Sequence, residues 1–198
     1  MKKATILALL ALCSASASAQ IWVGGQLGFS YTGTEDANEH YEMSTSSQAY
    51  TVSPKVGYDI NEHFAIGLNL GFSYISVNST YYYIKRDEHS ENNYSVKRIS
   101  VFPFVRYSFA EWQKVRFFVD GGVGYRFDND ESSSYSPIKN FYIAFNPGIT
   151  YPINDKVGLV AHLGELSYGR TTTENSDPYN QFTFNLESNL QFGFYLKL

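Results

Sequence analysis

The sequence predicts an all-β chain, a closed, antiparallel, eight-stranded, up-and-down transmembrane β-barrel, and three observations predict it. The first is the final stretch, Phe182–Leu198, which reads FTFNLESNLQFGFYLKL: Phe182, Phe184, Leu186, Leu190, Phe192, Phe194, Leu196 and Leu198 fill the even positions, and Ser188 is the polar interruption. A side-chain period of two means one dry and one wet strand face. At about 3.3 Å per residue the stretch would run roughly 55 Å, long for a globular strand and suited to a tilted bilayer crossing. The second is an exported N-terminus, with Lys2 and Lys3 before the apolar run Ala4–Leu12 and a small-residue cleavage site, Ala17-Ser18-Ala19, before Gln20. The third is the recurrence of period-two segments joined alternately by short turns and long polar stretches.

These divide the 198 residues into a signal peptide, 1–19, and a single barrel domain, 20–198, with Gln20 as the mature N-terminus. The chain is 17% aromatic, with 17 Tyr and 15 Phe, yet its mean hydropathy is only -0.27. Membrane barrels combine these properties because half of each strand faces a polar interior. No other stretch approaches the ~18 apolar residues of a transmembrane helix. Cys13 lies in the signal behind Leu12, where a lipid-attachment cysteine would want a small residue, so the mature chain has neither disulfides nor thiolate metal ligands. Removing Lys2 and Lys3 takes the formal charge from -4 to -6, which argues against nucleic acid as a partner.

In chain order, the first strand places Ile21, Val23, Leu27, Phe29 and Tyr31 opposite Gly24, Gln26, Gly28 and Ser30. Thr32–Gln48 has no periodicity and reads as a solvated loop. Tyr50–Ile60 sets Val52, Val56, Tyr58 and Ile60 against Ser53, Lys55, Gly57 and Asp59; Pro54 asks for a bulge or an unpaired position. After the turn Asn61-Glu62-His63, a third strand carries Phe64, Ile66, Leu68, Leu70, Phe72 and Tyr74, and its slip near Ile75 and Val77 predicts a bulge. Tyr81-Tyr82-Tyr83 fit a headgroup boundary and precede a charged loop, Lys85–Asn93. In the fourth strand Ile99, Val101, Val105, Tyr107 and Phe109 oppose Ser100, Arg106 and Ser108, while Phe102 and Phe104 fall on the polar side.

A second short turn, Ala110–Lys114, leads to Val115–Phe127, where Val115, Phe117, Val119, Val123, Tyr125 and Phe127 alternate with Arg116, Asp120, Gly122, Gly124 and Arg126. Beyond a polar loop, Asp128–Lys139, strand six presents Phe141, Ile143, Phe145, Ile149, Tyr151 and Ile153. The turn Asn154-Asp155-Lys156 opens strand seven, which has Leu159 and Leu163 outward, His162 inward, and loses register at Glu165. Arg170–Asn180 is the last loop before the terminal strand.

Alternation alone does not say which face points outward, because a soluble lipocalin-type barrel packs its apolar face inside. The polar face is Gly-rich and carries charges of both signs, Lys55, Asp59, Arg106, Arg116, Asp120, Arg126 and Glu187, which suits the crowded lumen of a narrow barrel better than a solvent surface. Aromatics near the strand ends, Trp22, Tyr31, Tyr74, Tyr81, Tyr107, Trp112 and Tyr151, suggest interfacial girdles. The apolar face therefore meets lipid.

With its Ala-x-Ala signal and its terminal FTFNLESNLQFGFYLKL, the chain resembles the small eight-stranded outer-membrane β-barrel family of the OmpA-barrel and OmpX type. The resemblance implies residence in the outer membrane among lipid and lipopolysaccharide. It also implies termini in the periplasm, long loops outside, and a last strand (Phe192, Phe194, Leu196, Leu198) read by the barrel assembly machinery. Family members usually end on an aromatic; this chain ends on Leu198.

Two enzyme classes use such barrels, lipid A deacylases and palmitoyl transferases. A lipid A deacylase of this kind would need a His-x-Ser pair, but Gly164 stands two residues after His162; His40, His63 and His89 fall in turns or loops. No His/carboxylate spacing recurs to suggest a metal, and Gly121-Gly122-Val123-Gly124 lacks the helix and Lys of a phosphate loop. The expectation is a monomer without catalytic residues, cofactor or metal. Its interior charges form a network that blocks ion flow, and its loops meet an unknown extracellular ligand; a narrow pore or small-molecule channel is the alternative.

Overall fold

A computed structural model describes residues 21–37, 41–83, 88–130, 136–174, 176–185 and 191–198. The described chain is one antiparallel sheet of ten strands: β1 (Ile21–Ala37), β2 (Tyr41–Asp59), β3 (Phe64–Tyr83), β4 (Glu88–Trp112), β5 (Val115–Asp130), β6 (Ile138–Pro152), β7 (Val157–His162), β8 (Glu165–Thr173), β9 (Ser176–Asn185) and β10 (Gln191–Lys197). Each of β1 to β6 pairs with the next. β6 then pairs with both β7 and β8, β7 pairs with β10, and β10 pairs with β1, so the pairings run in a ring. Past Leu27, β1 pairs with β2 alone among the described residues, and β9 pairs with β8 alone.

The ten strands replace the eight read from the sequence because the last two segments are each interrupted. Between β7 and β8 the register slips: His162 opposes Gly148 and Leu166 opposes Phe145, so four steps along one strand match three along the other. That single extra residue reverses which parity faces outward, from Leu159 and Leu163 to Leu166 and Tyr168. The terminal stretch expected as one strand is described as β9 and β10; Leu186, Glu187, Ser188 and Leu190 lie outside the described residues. So do the signal segment 1–19 and Gln20.

Three of the expected loops are largely strand, and the fourth is shortened. Residues 32–37 and 41–48 pair in register, from Thr32↔Ser47 to Ala37↔Glu42, and the β3–β4 ladder continues without a slip to Tyr83↔Glu88. The bulge expected near Ile75 is therefore absent from the described ladder; one lies instead between Ser108 and Ala110. Likewise β5 reaches Asp130, β6 begins at Ile138, β8 reaches Thr173 and β9 begins at Ser176. Period two vanished from these stretches because both faces are wet there, while backbone pairing, which leaves no mark on the side-chain pattern, continues. Pro54 drops out of the β2–β3 pairing with the register intact: Val52↔Phe72 is followed by Lys55↔Asn69.

At the opposite end the connections are tight. Asn61 Oδ1 accepts from the backbone N–H of His63 (2.9 Å) and Phe64 (2.8 Å), and Asn154 Oδ1 does the same for Lys156 (2.9 Å) and Val157 (2.8 Å). This local side-chain turn explains Asn at both positions. The β4–β5 turn passes through Gln113, whose φ is 55°. These three turns, with Ile21 and Leu198, define a short-turn end, and the long hairpins define the other.

The sheet's outer surface carries the apolar residues of every strand, including Leu27, Phe29, Val52, Phe72, Ile99, Ile143, Phe182 and Phe194, all exposed. A continuous exposed apolar belt of this extent has no place in water and marks a membrane surface. No helix among the described residues is long and apolar enough to cross a membrane.

Candidate functional site

The enclosed face is built by a cross-strand rule. Of the aromatic residues that turn inward, five lie directly opposite a glycine on the neighbouring strand: Trp22 on Gly57, Phe104 on Gly67, Tyr142 on Gly124, Phe118 on Gly148 and Tyr195 on Gly158. At each glycine a Cβ would collide with the ring opposite. The glycines thus provide the space in which the rings lie flat against the wall, a glycine–aromatic pairing also used to pin sheet register. This accounts for the glycine-rich face and for Phe104 on the polar side of β4; Phe102, also buried, lies opposite Asn69. Phe102 stacks on Tyr142 at 5.9 Å with an interplanar angle of 3°.

Trp22 is the main correction to the aromatic set. It is 5% exposed and its Nε1 donates to Asp59 Oδ1 at 2.9 Å, so it lines the interior and is no girdle residue. Its parity with Gly24 and Gln26 requires this, and position outweighs aromatic identity here. Tyr31, Tyr74, Tyr107, Tyr151 and Trp112 are exposed on the outer surface, Trp112 at 69%. Tyr81 is half-buried and lies farther out: Tyr31 is level with Ser76 on β3, five residues before it.

Among these rings the interior charges gather around Asp120, which is 1% exposed. Arg106, directly opposite on β4, donates from Nε (2.7 Å) and Nη2 (2.8 Å) to its two carboxylate oxygens, a bidentate pair. The guanidinium carbon lies 3.8 Å from the centroid of the Phe118 ring and 5.1 Å from Trp22. Lys55 Nζ is 3.8 Å from Asp120 Oδ2, and His162 Nε2 is 3.0 Å from the same oxygen. The histidine tautomer follows from its other side. The Gln26 amide donates to Gln191 O (3.2 Å) and to His162 Nδ1 (2.8 Å), so Nδ1 accepts and Nε2 carries the proton given to Asp120. Lys55 approaches Nε2 at 3.2 Å, and its charge is answered by Asp120.

The charges expected to form one network occupy three levels. Lys55, Arg106 and Asp120 meet in the layer just described. Asp59 lies toward the short-turn end, bonded to Trp22 and 3.4 Å from Lys197. Arg116 is corrected from the interior to the mouth at that end: its side chain is 43% exposed and it pairs with Glu111 (54%) at 3.0 Å. Arg126 lies toward the hairpins with its Cζ 4.9 Å over the Tyr142 ring, and Glu187 lies outside the described residues. Gln26, Phe118 and Tyr142 also belong to this interior, and no motif in the sequence marks them as partners. The detectable signal was glycine facing aromatic once register is assigned.

One cavity on each side is lined by residues of this layer. Toward the short-turn end Trp22, Arg106, Phe118 and Tyr195 line one; toward the hairpins Lys55, Phe102, Tyr142 and His162 line the other. An apolar outside, a polar and charged inside, and a ring of antiparallel pairings define a membrane-embedded β-sheet protein.

The family model for the outer membrane protein beta-barrel domain matches residues 5–192, and the chain belongs to that family. It resides in the outer membrane, in contact with lipid. Among solved structures it is similar to Neisserial surface protein A (NspA), at 14% identity over 91% of this chain and 99% of that one with a TM-score of 0.53. It is also similar to a major outer membrane protein from Thermus thermophilus (12% identity, 91% and 100% covered, TM-score 0.47) and to Ail of Yersinia pestis (12%, 91% and 100%, 0.37). A search of curated proteins finds no match.

Proposed function

We propose that the chain is a sealed, eight-crossing outer-membrane barrel with a structural or adhesive role exercised through its outer hairpins. β7 with β8, and β9 with β10, each make one crossing; the shared pairing of β7 and β8 with β6 supports this. The short-turn end and both termini face the periplasm, and the hairpins face outward beside lipopolysaccharide, where they meet a ligand of the cell's surroundings. Phe192, Phe194, Leu196 and Leu198 present the outward edge that the assembly machinery reads, and the barrel works as a monomer. No catalytic role is included: both ring nitrogens of His162 are engaged within the layer.

The observation that carries the sealed lumen is the bidentate Arg106–Asp120 pair held between the Phe118 and Trp22 rings and closed by Lys55 and His162. Eight strands leave only enough room for side chains to fill the interior, and ions would have to displace a buried, paired charge to pass. Single-channel recording in a planar bilayer tests it: the wild-type chain gives no steady open conductance, and Arg106→Ala with Phe118→Ala opens one. A steady open state in the wild type would replace this reading with the narrow pore.

A further inference from the structure

The cavity on the hairpin side of the layer measures about 170 Å³ and is lined by Ser53, Ser73, Ser100 and Tyr142. Three cations face it. Lys55 is answered by Asp120, and Arg98 is held in a bidentate pair by Asp128 at 2.8 and 2.7 Å. Arg126 has no ion pair among the described residues, and its buried Nε lacks a hydrogen-bond partner. The carboxylate in the cavity wall, Glu165, accepts from Ser167 at 2.8 Å. A second buried atom in the same wall, Asn69 Oδ1, is an acceptor without a donor. Buried polar atoms are normally satisfied, and those that are not ask for a missing partner. Here the two deficits are complementary: a guanidinium edge wants an anion, and an amide oxygen wants a donor.

We propose that this cavity binds a small hydroxy-carboxylate, its carboxylate on the Arg126 guanidinium and its hydroxyl donating to Asn69 Oδ1. The planar fork of arginine suits a carboxylate. A cavity of roughly 150 Å³ accepts a benzene-sized solute, which sets the ligand at three or four carbons. Serine hydroxyls around the wall satisfy further oxygens of such a ligand. The site goes beyond the sealed-lumen reading and does not depend on it, since the cavity lies on one side of the layer.

The test is calorimetric titration of the full chain refolded in detergent micelles, with the folded state checked by gel mobility before and after boiling. Glycerate is the probe, glycerol its uncharged counterpart, and acetate the carboxylate without a hydroxyl. Glycerate binds saturably, glycerol gives no binding, and acetate binds at least ~10-fold more weakly. Arg126→Lys, which keeps the charge and removes Nε, weakens glycerate ~10-fold or more, and Asn69→Leu lowers glycerate to the affinity of acetate. Arg116→Gln, at the other mouth, leaves binding unchanged. Should Arg126→Lys fail the mobility check, Asn69→Leu and the three solutes still decide. Absence of saturable glycerate binding, glycerol binding equally well, or acetate binding as tightly as glycerate overturns the assignment.

Discussion

Replacing Asp120 with Asn removes one negative charge and almost no volume from the centre of the layer. Arg106 loses the acceptor of its two short bonds, and Lys55 loses its counter-ion, while both ammonium and guanidinium stay buried; their side chains are 8% and 11% exposed. Breaking a buried pair from one side leaves an uncompensated charge and costs about 3–5 kcal/mol, two to three and a half decades in the folding equilibrium. The exposed Arg116–Glu111 pair supplies the internal comparison, since Arg116→Gln should cost no more than about 1 kcal/mol. The assay is urea unfolding in phospholipid vesicles, read by tryptophan fluorescence and gel mobility, with the midpoint converted to free energy through the slope. A second variant separates charge from shape. Arg106→Met with Asp120→Leu removes the bidentate pair and should recover part of the loss, because a well-packed apolar pair replaces a buried ion pair at little cost while Lys55 stays uncompensated. If Asp120→Asn unfolds within ~0.5 kcal/mol of wild type, or if the double variant is no more stable than Asp120→Asn, the charge-pairing account of the layer is wrong.

The glycine–aromatic rule predicts that Gly67→Ala and Gly124→Ala, which push a methyl into the Phe104 and Tyr142 rings, each cost about 1–3 kcal/mol in the same titration. Gly33→Ala, where the nearest atom is the Tyr31 hydroxyl at 3.6 Å, stays within ~0.5 kcal/mol. Trp22 fluorescence, isolated in a Trp112→Phe background, should be protected from an aqueous quencher and from brominated acyl chains alike; strong quenching by the lipid would return Trp22 to a girdle position. Phe194→Arg places a cation on the lipid face of β10 and should cost up to about 2–4 kcal/mol, measured as loss of the heat-modifiable form in outer-membrane fractions.

The outward face was legible wherever one strand side is dry and the other wet, which holds from Ile21 to Tyr31 and again from Val115 to Phe127. Legibility failed where chemistry and position conflicted, as at Trp22, whose ring suggested an interface and whose parity required the interior. It failed again beyond the belt, where Thr32–Ala37 and Tyr41–Gln48 alternate between two solvated faces and leave no periodic signal for a ladder that is nonetheless formed. The central pair was hidden by one residue. Counting back from Trp112↔Val115 places Asp120 opposite Tyr107; the bulge between Ser108 and Ala110 restores Arg106 as its neighbour. Nothing in the side-chain pattern announced that bulge. His162 and Gln26 meet from strands joined only through β10, so no local spacing could have linked them.

The continuation of β3 and β4 past the apolar belt has a mechanical consequence. β4 holds 25 residues, against about 9–11 for a crossing tilted near 45°, so roughly a dozen residues, about 40 Å of strand, project beyond the acyl chains. In the proposed orientation, with the hairpins outside the cell, a tether fastened between Tyr83 and Glu88 and drawn away from the cell pulls along the strand axes. It loads the backbone bonds to β2 and β5 in shear, many sharing the force at once, instead of peeling them singly. The hairpin then acts as a stiff spar: it holds its tip at a set standoff from the bilayer and carries tension straight down into the wall.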